Sequence, residues 1–249
     1  MAIGTRSYTR GYLSSSGLPP GIRALLVSNV AIFVIYFFSS RGLRAMFDGL
    51  ALRPSDVVTH FYIWQLVTYS FLHGGIGHIL FNMLALWMFG TEFERLWGTR
   101  RFLRFYFFCA AGAGLCVVVL NYLPFGNPDI LTIGSSGAIY GILLASAVMW
   151  PDRQMLFYFL IPLKMKYFVM IIGAIAFFNS FNPASPVSDV AHLGGMLFGY
   201  VFLKLPRMRN ADPIGALQES YQKWKLERAK KKFQVYMRKQ GSGRDRRIH

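Results

Sequence analysis

Charged side chains are scarce in this 249-residue chain: Asp, Glu, Lys and Arg together make up 15% of it, and only 11 residues are acidic. A chain so poor in charge and 54% hydrophobic does not stay disordered, and a single soluble core of this size could not hide so much apolar surface. Cysteine is almost absent. Cys109 and Cys116 lie seven residues apart in one apolar stretch, where they share a helix face without being able to pair, so there is no disulfide framework and no zinc-finger spacing. No carboxylate sits in the middle of an apolar run and no His-Glu-x-x-His occurs, which counts against a metal site built on His73, His78 and His192.

What is abundant is apolar and basic. Aromatic residues make up 16% of the chain and the mean hydropathy is +0.37, which a bilayer accommodates. Lys and Arg number 27, giving a formal net charge of +16. On a soluble protein that excess would point to nucleic acid. Beside a membrane, anionic headgroups are nearer and account for the same charge, so no nucleic-acid partner is expected.

Six apolar segments stand out, at about 22–38, 77–91, 102–121, 135–150, 166–181 and 187–205. Several are shorter than the usual ~20 residues, which implies helices sheltered in a bundle or a thinned bilayer. The first segment has features of a signal or transit sequence, but it lacks a convincing small-x-small cleavage site and is read as a span. The connections 121–133 and 179–189 contain no Lys or Arg, whereas Arg95, Arg100, Arg101, Arg104, Arg153, Lys164 and Lys166 mark the other side. The tail 205–249 carries 13 basic and 4 acidic residues. Both termini are therefore expected in the cytoplasm. The loop between spans one and two breaks the pattern with Arg41, Arg44 and Arg53, and its stretch Phe61 to Leu72 suggests an interfacial hairpin. Three parts follow: a cytoplasmic segment 1–21, a six-helix membrane domain 22–205, and a basic tail 206–249, amphipathic over 213–239 and disordered after Gly241.

In this topology spans two, four and six run from the outer side inward, and each starts with unusual polar groups: His78 and Asn82, then Ser135 and Ser136, then His192. Each alone suits an interhelical hydrogen bond, but together they share one depth. The turn Gly134-Ser135-Ser136-Gly137 enters span four, where the first helical N–H groups have no partner. A hydroxyl there can attack a carbonyl while those N–H groups hold the negative oxygen, although Gly and Ser are also ordinary at such junctions. Gly137-x-x-x-Gly141-x-x-x-Ala145 on span four and Ala191-x-x-x-Gly195-x-x-x-Gly199 on span six form small-residue stripes. If the stripes meet, Ser136 and His192 come within hydrogen-bonding reach. Tyr140, one turn beyond Ser136, either stacks on the imidazole or fills the core. His78 and Asn82, four residues apart, project from one face and can donate N–H groups beside the Ser136 N–H. Asp189 is read as a cap of span six rather than a catalytic acid.

The segments Phe71-Leu72-His73, His78-Ile79-Leu80-Phe81-Asn82, Gly134-Ser135-Ser136-Gly137-Ala138-Ile139-Tyr140-Gly141 and Ala191-His192-Leu193-Gly194-Gly195 occur in the order and on the spans of one known family. Over roughly residues 22–205 the chain resembles the rhomboid intramembrane serine proteases. The resemblance implies an all-α, six-transmembrane-helix bundle with Ser136 as nucleophile and His192 as general base, needing no cofactor. It further implies His78, Asn82 and the Ser136 N–H as the oxyanion hole, Tyr140 as support for the base, and Gly134, Gly137, Gly195 and Gly199 as the close-packing positions around them. It implies Glu94 as an anchor of the loop between spans one and two, against the alternative of a surface ion pair with Arg95 or Arg101. The Trp-Arg pair common in that loop is absent, since Gln65 follows Trp64.

The implied partners are the bilayer and membrane proteins whose transmembrane segment is helix-destabilised, admitted between spans five and two past a polar cap at 179–190. The expected location is a bacterial inner membrane. Two rival classes are a catalytically silent relative that chaperones membrane helices, and a transporter, which the lack of an evident inverted repeat disfavours.

Overall fold

The computed structural model describes residues 17–40, 47–124, 126–157, 161–181, 188–205 and 224–228. It divides into two compact units, residues 1–205 and 206–249. In the second, the described residues 224–228 are helical, with the Arg228 guanidinium 4.8 Å from the Trp224 ring centre. The rest of the expected amphipathic stretch 213–239, the tail beyond Gly241, and residues 182–187 of the expected cap lie outside the described residues.

Helix α1 (Pro20–Phe38) opens on a proline, which has no N–H to leave unpaired. The next two N–H groups, of Gly21 and Ile22, donate to the two oxygens of Glu94 at 2.8 and 2.6 Å. A carboxylate is well placed there because the unpaired N–H groups and the helix dipole both favour negative charge. Thr99 adds a third hydrogen bond to the same carboxylate at 2.6 Å. Glu94 is thus spent on the start of α1, a use that neither sequence expectation for it named.

Between α1 and the next long helix lie two short helices, α2 (Pro54–Thr59) and α3 (Gln65–Thr68), and a 3-10 turn over Tyr69–Phe71. Gln65 is fully buried. Its Oε1 accepts from the Arg53 N–H at 3.0 Å and its Nε2 donates to Asp56 Oδ2 at 3.2 Å, so the residue standing where arginine was missed latches the loop together. Val58, Phe61, Ile63 and Trp64 are exposed along this loop; Arg41 and Arg44 fall outside the described residues. Leu52 and Thr132 exchange backbone hydrogen bonds, and Ser55 binds Asp129 Oδ1 at 2.7 Å, tying this loop to the one before the serine turn.

Helix α4 (Ile76–Trp97) contains a π-turn at Leu86–Gly90. Helix α5 (Thr99–Asn121) follows after Gly98, whose φ of +78° lets the chain reverse. Phe102, Phe105, Cys109, Ala113 and Val117 recur every three or four residues along α5 and are fully buried, making it the centre of the bundle. Helices α6 (Ser136–Met149), α7 (Met165–Asn179) and α8 (Ser188–Lys204) complete the unit. By length and composition α1, α4 and α5 can cross a membrane, and α6 and α7 are shorter apolar helices.

The described residues are helical, as expected, apart from one short antiparallel hairpin of β1 (Gln154–Phe157) and β2 (Ile161–Lys164), with Gln154 opposite Lys164. Its base is pinned by Asp152, which accepts from the ammonium groups of Lys164 and Lys166 at 3.2 and 2.8 Å. Those two cations hold the exposed Asp152 carboxyl below its ordinary range.

The two small-residue stripes lie against each other. A Cβ added at Gly195 would stand 1.8 Å from the Gly137 carbonyl oxygen, and one at Gly199 would stand 3.0 Å from the Gly141 backbone. Helix backbones this close exclude any side chain between them. Gly112 on α5 receives the Phe198 ring in the same way, so α8 is seated against both α5 and α6.

Candidate active site

Close packing of α6 on α8 brings two predicted residues together: His192 Nε2 and Ser136 Oγ are 2.8 Å apart. The rings of Tyr140 and His192 stack with centroids 4.0 Å apart and planes 3° from parallel. The other ring nitrogen, Nδ1, is buried, has no hydrogen-bond partner among the described residues, and faces Asp189 Oδ1 at 3.6 Å, beyond hydrogen-bonding distance.

Ser136 is the first residue of α6, and the Ile139 N–H already donates to the Ser135 carbonyl at 3.1 Å. The three N–H groups ahead of it are those a helix leaves unpaired. Ser135 is wholly buried and its hydroxyl meets His73 Nε2 at 3.3 Å, so the two adjacent serines point to different surroundings. The turn is fixed from behind, where the Gly134 N–H donates to the Tyr69 carbonyl at 2.9 Å. Gly134 has φ of +119°, and a Cβ there would lie 2.7 Å from His78 Nε2, so both conformation and space call for glycine.

A cavity of about 560 Å³ opens over this turn, lined by His78, Phe81, Asn82, Thr132, Ser136, Tyr140 and His192 among others. Asn82 is buried, and its Nδ2 finds no acceptor among the described residues. His78 accepts from the Gly74 N–H at Nδ1, at 3.4 Å. The five residues Ser136, His192, His78, Asn82 and Tyr140 therefore share one cavity, with Gly134 beneath it and Gly137, Gly195 and Gly199 in the α6–α8 contact. Among the described residues no group of three or more His, Cys, Asp or Glu is arranged to hold a metal ion.

Two contributors were given no part in the serine site from sequence. His73 is buried, with its ring 5.0 Å from that of His78 at a 67° tilt. Burial pushes its pKa down to about 4, with the neighbouring His78 adding to the effect, so the ring is neutral near pH 7. Tyr69 donates its hydroxyl to the Ala110 carbonyl at 2.9 Å while its own carbonyl holds the serine turn. A lone tyrosine between Thr68 and Ser70 carries no signal of that role, whereas His73, five residues before His78, stood in the quoted segments.

A family model described as "Rhomboid domain" matches residues 60–207. Similar proteins include "Rhomboid protease GluP" of Bacillus subtilis (strain 168), 36% identical over 138 residues that make up 55% of this chain and 25% of that protein. "Putative rhomboid protease YdcA" of the same organism is 32% identical over 141 residues, 55% of this chain and 64% of that protein. "Rhomboid protease AarA" of Providencia stuartii is 30% identical over 195 residues, 70% and 68% of the two chains. The chain thus spans a quarter of the first relative and less than two thirds of the second.

Proposed function

The chain belongs to the rhomboid family and is an integral membrane protein, and from that premise we propose that it is an intramembrane serine protease acting through Ser136 and His192. The observation that carries the proposal is the 2.8 Å contact of hydroxyl and imidazole at the wall of an open cavity. In this mechanism His192 Nε2 accepts the Ser136 proton as Oγ bonds to the carbonyl carbon of the scissile peptide. The carbonyl oxygen becomes an oxyanion beside the Ser136 N–H, Asn82 Nδ2 and His78. Collapse of that adduct breaks the C–N bond, and His192 returns its proton to the leaving amine. Water then attacks the serine ester with His192 again as base, and the carboxylate product leaves.

Asn82 Nδ2, which has no acceptor among the described residues, supports its assignment, since a buried donor without an acceptor is costly unless a ligand supplies one. Asp189 at 3.6 Å favours the tautomer with hydrogen on Nδ1 and the lone pair on Nε2, toward Ser136. No cofactor enters any step.

The bundle spans the membrane six times, through α1, α4, α5, α6, α7 and α8, with both termini in the cytoplasm of a bacterial cell and the cavity facing outward. The substrate is a membrane protein whose transmembrane helix unwinds readily, entering from lipid between α4 and α7. Phe81 of α4, which lines the cavity, is 71% exposed.

A fluorophosphonate probe tests the dyad. Wild-type protein labels, and Ser136→Ala and His192→Ala abolish the labelling; equal labelling of all three rejects the assignment and favours a silent, helix-binding relative.

A further inference from the structure

A second cavity, of about 720 Å³, lies at the end of α6 remote from Ser136. One wall is a face of α4, along which the chemistry changes in order. Trp87 and Met88 come first, Thr91 one turn later, and Arg95 one turn after that. Trp87 and Arg95 are eight residues apart, about 12 Å of helix rise. The opposite wall is Trp150 and Arg153, just beyond α6.

The charges are unevenly used. Arg153 is bound to Glu92 across the cavity, and its guanidinium lies 5.9 Å from the Trp150 ring centre. Arg95 is exposed, and among the described residues no carboxylate pairs with it. Thr91 Oγ1 is buried and also lacks a partner among the described residues. Trp87 and Met88 sit in the π-turn, where the helix departs from regular bonding, a feature frequent at ligand sites. Two guanidinium groups against one carboxylate leave a local charge of +1.

We propose that this cavity binds one anionic glycerophospholipid, with its phosphodiester on Arg95, its glycerol region at Thr91 and an acyl chain along Trp87 and Met88. The order of groups along α4 is that of such a lipid, from hydrocarbon through ester to phosphate, read toward the charged end of the bundle. Indole side chains at that depth suit the boundary between acyl chains and headgroups. A monoanionic phosphodiester answers the single unbalanced positive charge, whereas Glu92, the one carboxylate among the described residues lining the cavity, is already held by Arg153 and so is not free for a zwitterionic ammonium. This inference does not depend on the protease assignment.

Native mass spectrometry of the full chain in non-ionic detergent, with added phosphatidylglycerol, tests it. One lipid is retained in preference to phosphatidylcholine, and Arg95→Gln weakens retention about tenfold, the loss of one charge-assisted contact. Lys204→Gln removes a cation at the same end of the bundle, outside the cavity, and leaves retention unchanged. Glycerol 3-phosphate, which has the phosphate without the chains, does not displace the lipid. Unchanged retention in Arg95→Gln with an unaltered thermal midpoint, an equal loss in Lys204→Gln, or equal retention of phosphatidylcholine overturns the proposal. Displacement by glycerol 3-phosphate overturns it in favour of a soluble phosphate ester.

Discussion

The contact between α6 and α8 and the gap between α4 and α7 are opposite solutions to helix packing. Along the first, backbones meet with no side chain between them, and Gly195 approaches the Gly137 carbonyl more closely than any Cβ would permit. Along the second, the outer part of α4 (Ile76–Ala85) has at most marginal contact with α7, whose Gly173 faces Met196 of α8 instead. The first arrangement holds two side chains at a fixed distance, which the proposed nucleophile activation needs; the second leaves the apolar surface along which the proposed substrate would enter. One bundle thus separates a rigid seam from a permissive one, and the cavity is lined by both helices of the seam and by α4.

The sharpest way to break this comparison is Gly195→Val. The added branches collide with the Gly137 backbone, force α6 and α8 apart and remove the 2.8 Å contact, so fluorophosphonate labelling is lost and stability falls by about 3 kcal/mol or more. Retained labelling would show that the seam yields. Glu94→Gln comes next. It keeps the shape but withdraws the charge from the Gly21, Ile22 and Thr99 donors, lowering unfolding stability by about 2 kcal/mol while labelling of the folded protein persists.

A pH titration probes the support behind the seam. His73 is held neutral when folded, whereas the unfolded chain takes up a proton near 6.5. Its contribution is therefore complete above about 6.5 and is lost as pH falls toward about 4. His73→Phe flattens the acid limb of a thermal-midpoint curve over that window; an identical slope in the variant would assign the limb elsewhere. The smallest effect belongs to the permissive side. Phe81→Ala changes stability by less than about 0.5 kcal/mol, because the ring is mostly exposed, and a larger loss in thermal unfolding would mean that α4 is packed there after all.

Much of this was legible from residue order. Five of the six apolar runs begin and end within three residues of a helix, since hydropathy reports burial in lipid or protein directly; the second stops six residues short of the end of α4, where the helix turns polar. Small residues at every fourth position announced a close helix pair, because only backbone contact requires them. The use of Glu94 was not readable: it depends on α1 starting beside the end of α4, a tertiary coincidence 73 residues apart in sequence. Gln65 was equally opaque, because an amide that latches a loop looks the same in sequence as one on the surface. The β1–β2 hairpin escaped an all-helical reading because its strands are short and lie between two apolar runs.

Helix α6 has 14 residues and so rises only about 21 Å, whereas the hydrocarbon layer is about 30 Å thick. Its far end is tethered at the surface by Trp150 and the Asp152, Lys164 and Lys166 cluster. The shortfall of roughly 9 Å therefore falls at Ser136, which places its hydroxyl at the bottom of a well in the oily layer. In the proposed protease a peptide bond would reach that hydroxyl only by bending down into the well, so the depth of one short helix is a physical reason for the proposed preference for segments that lose their own coil at little cost.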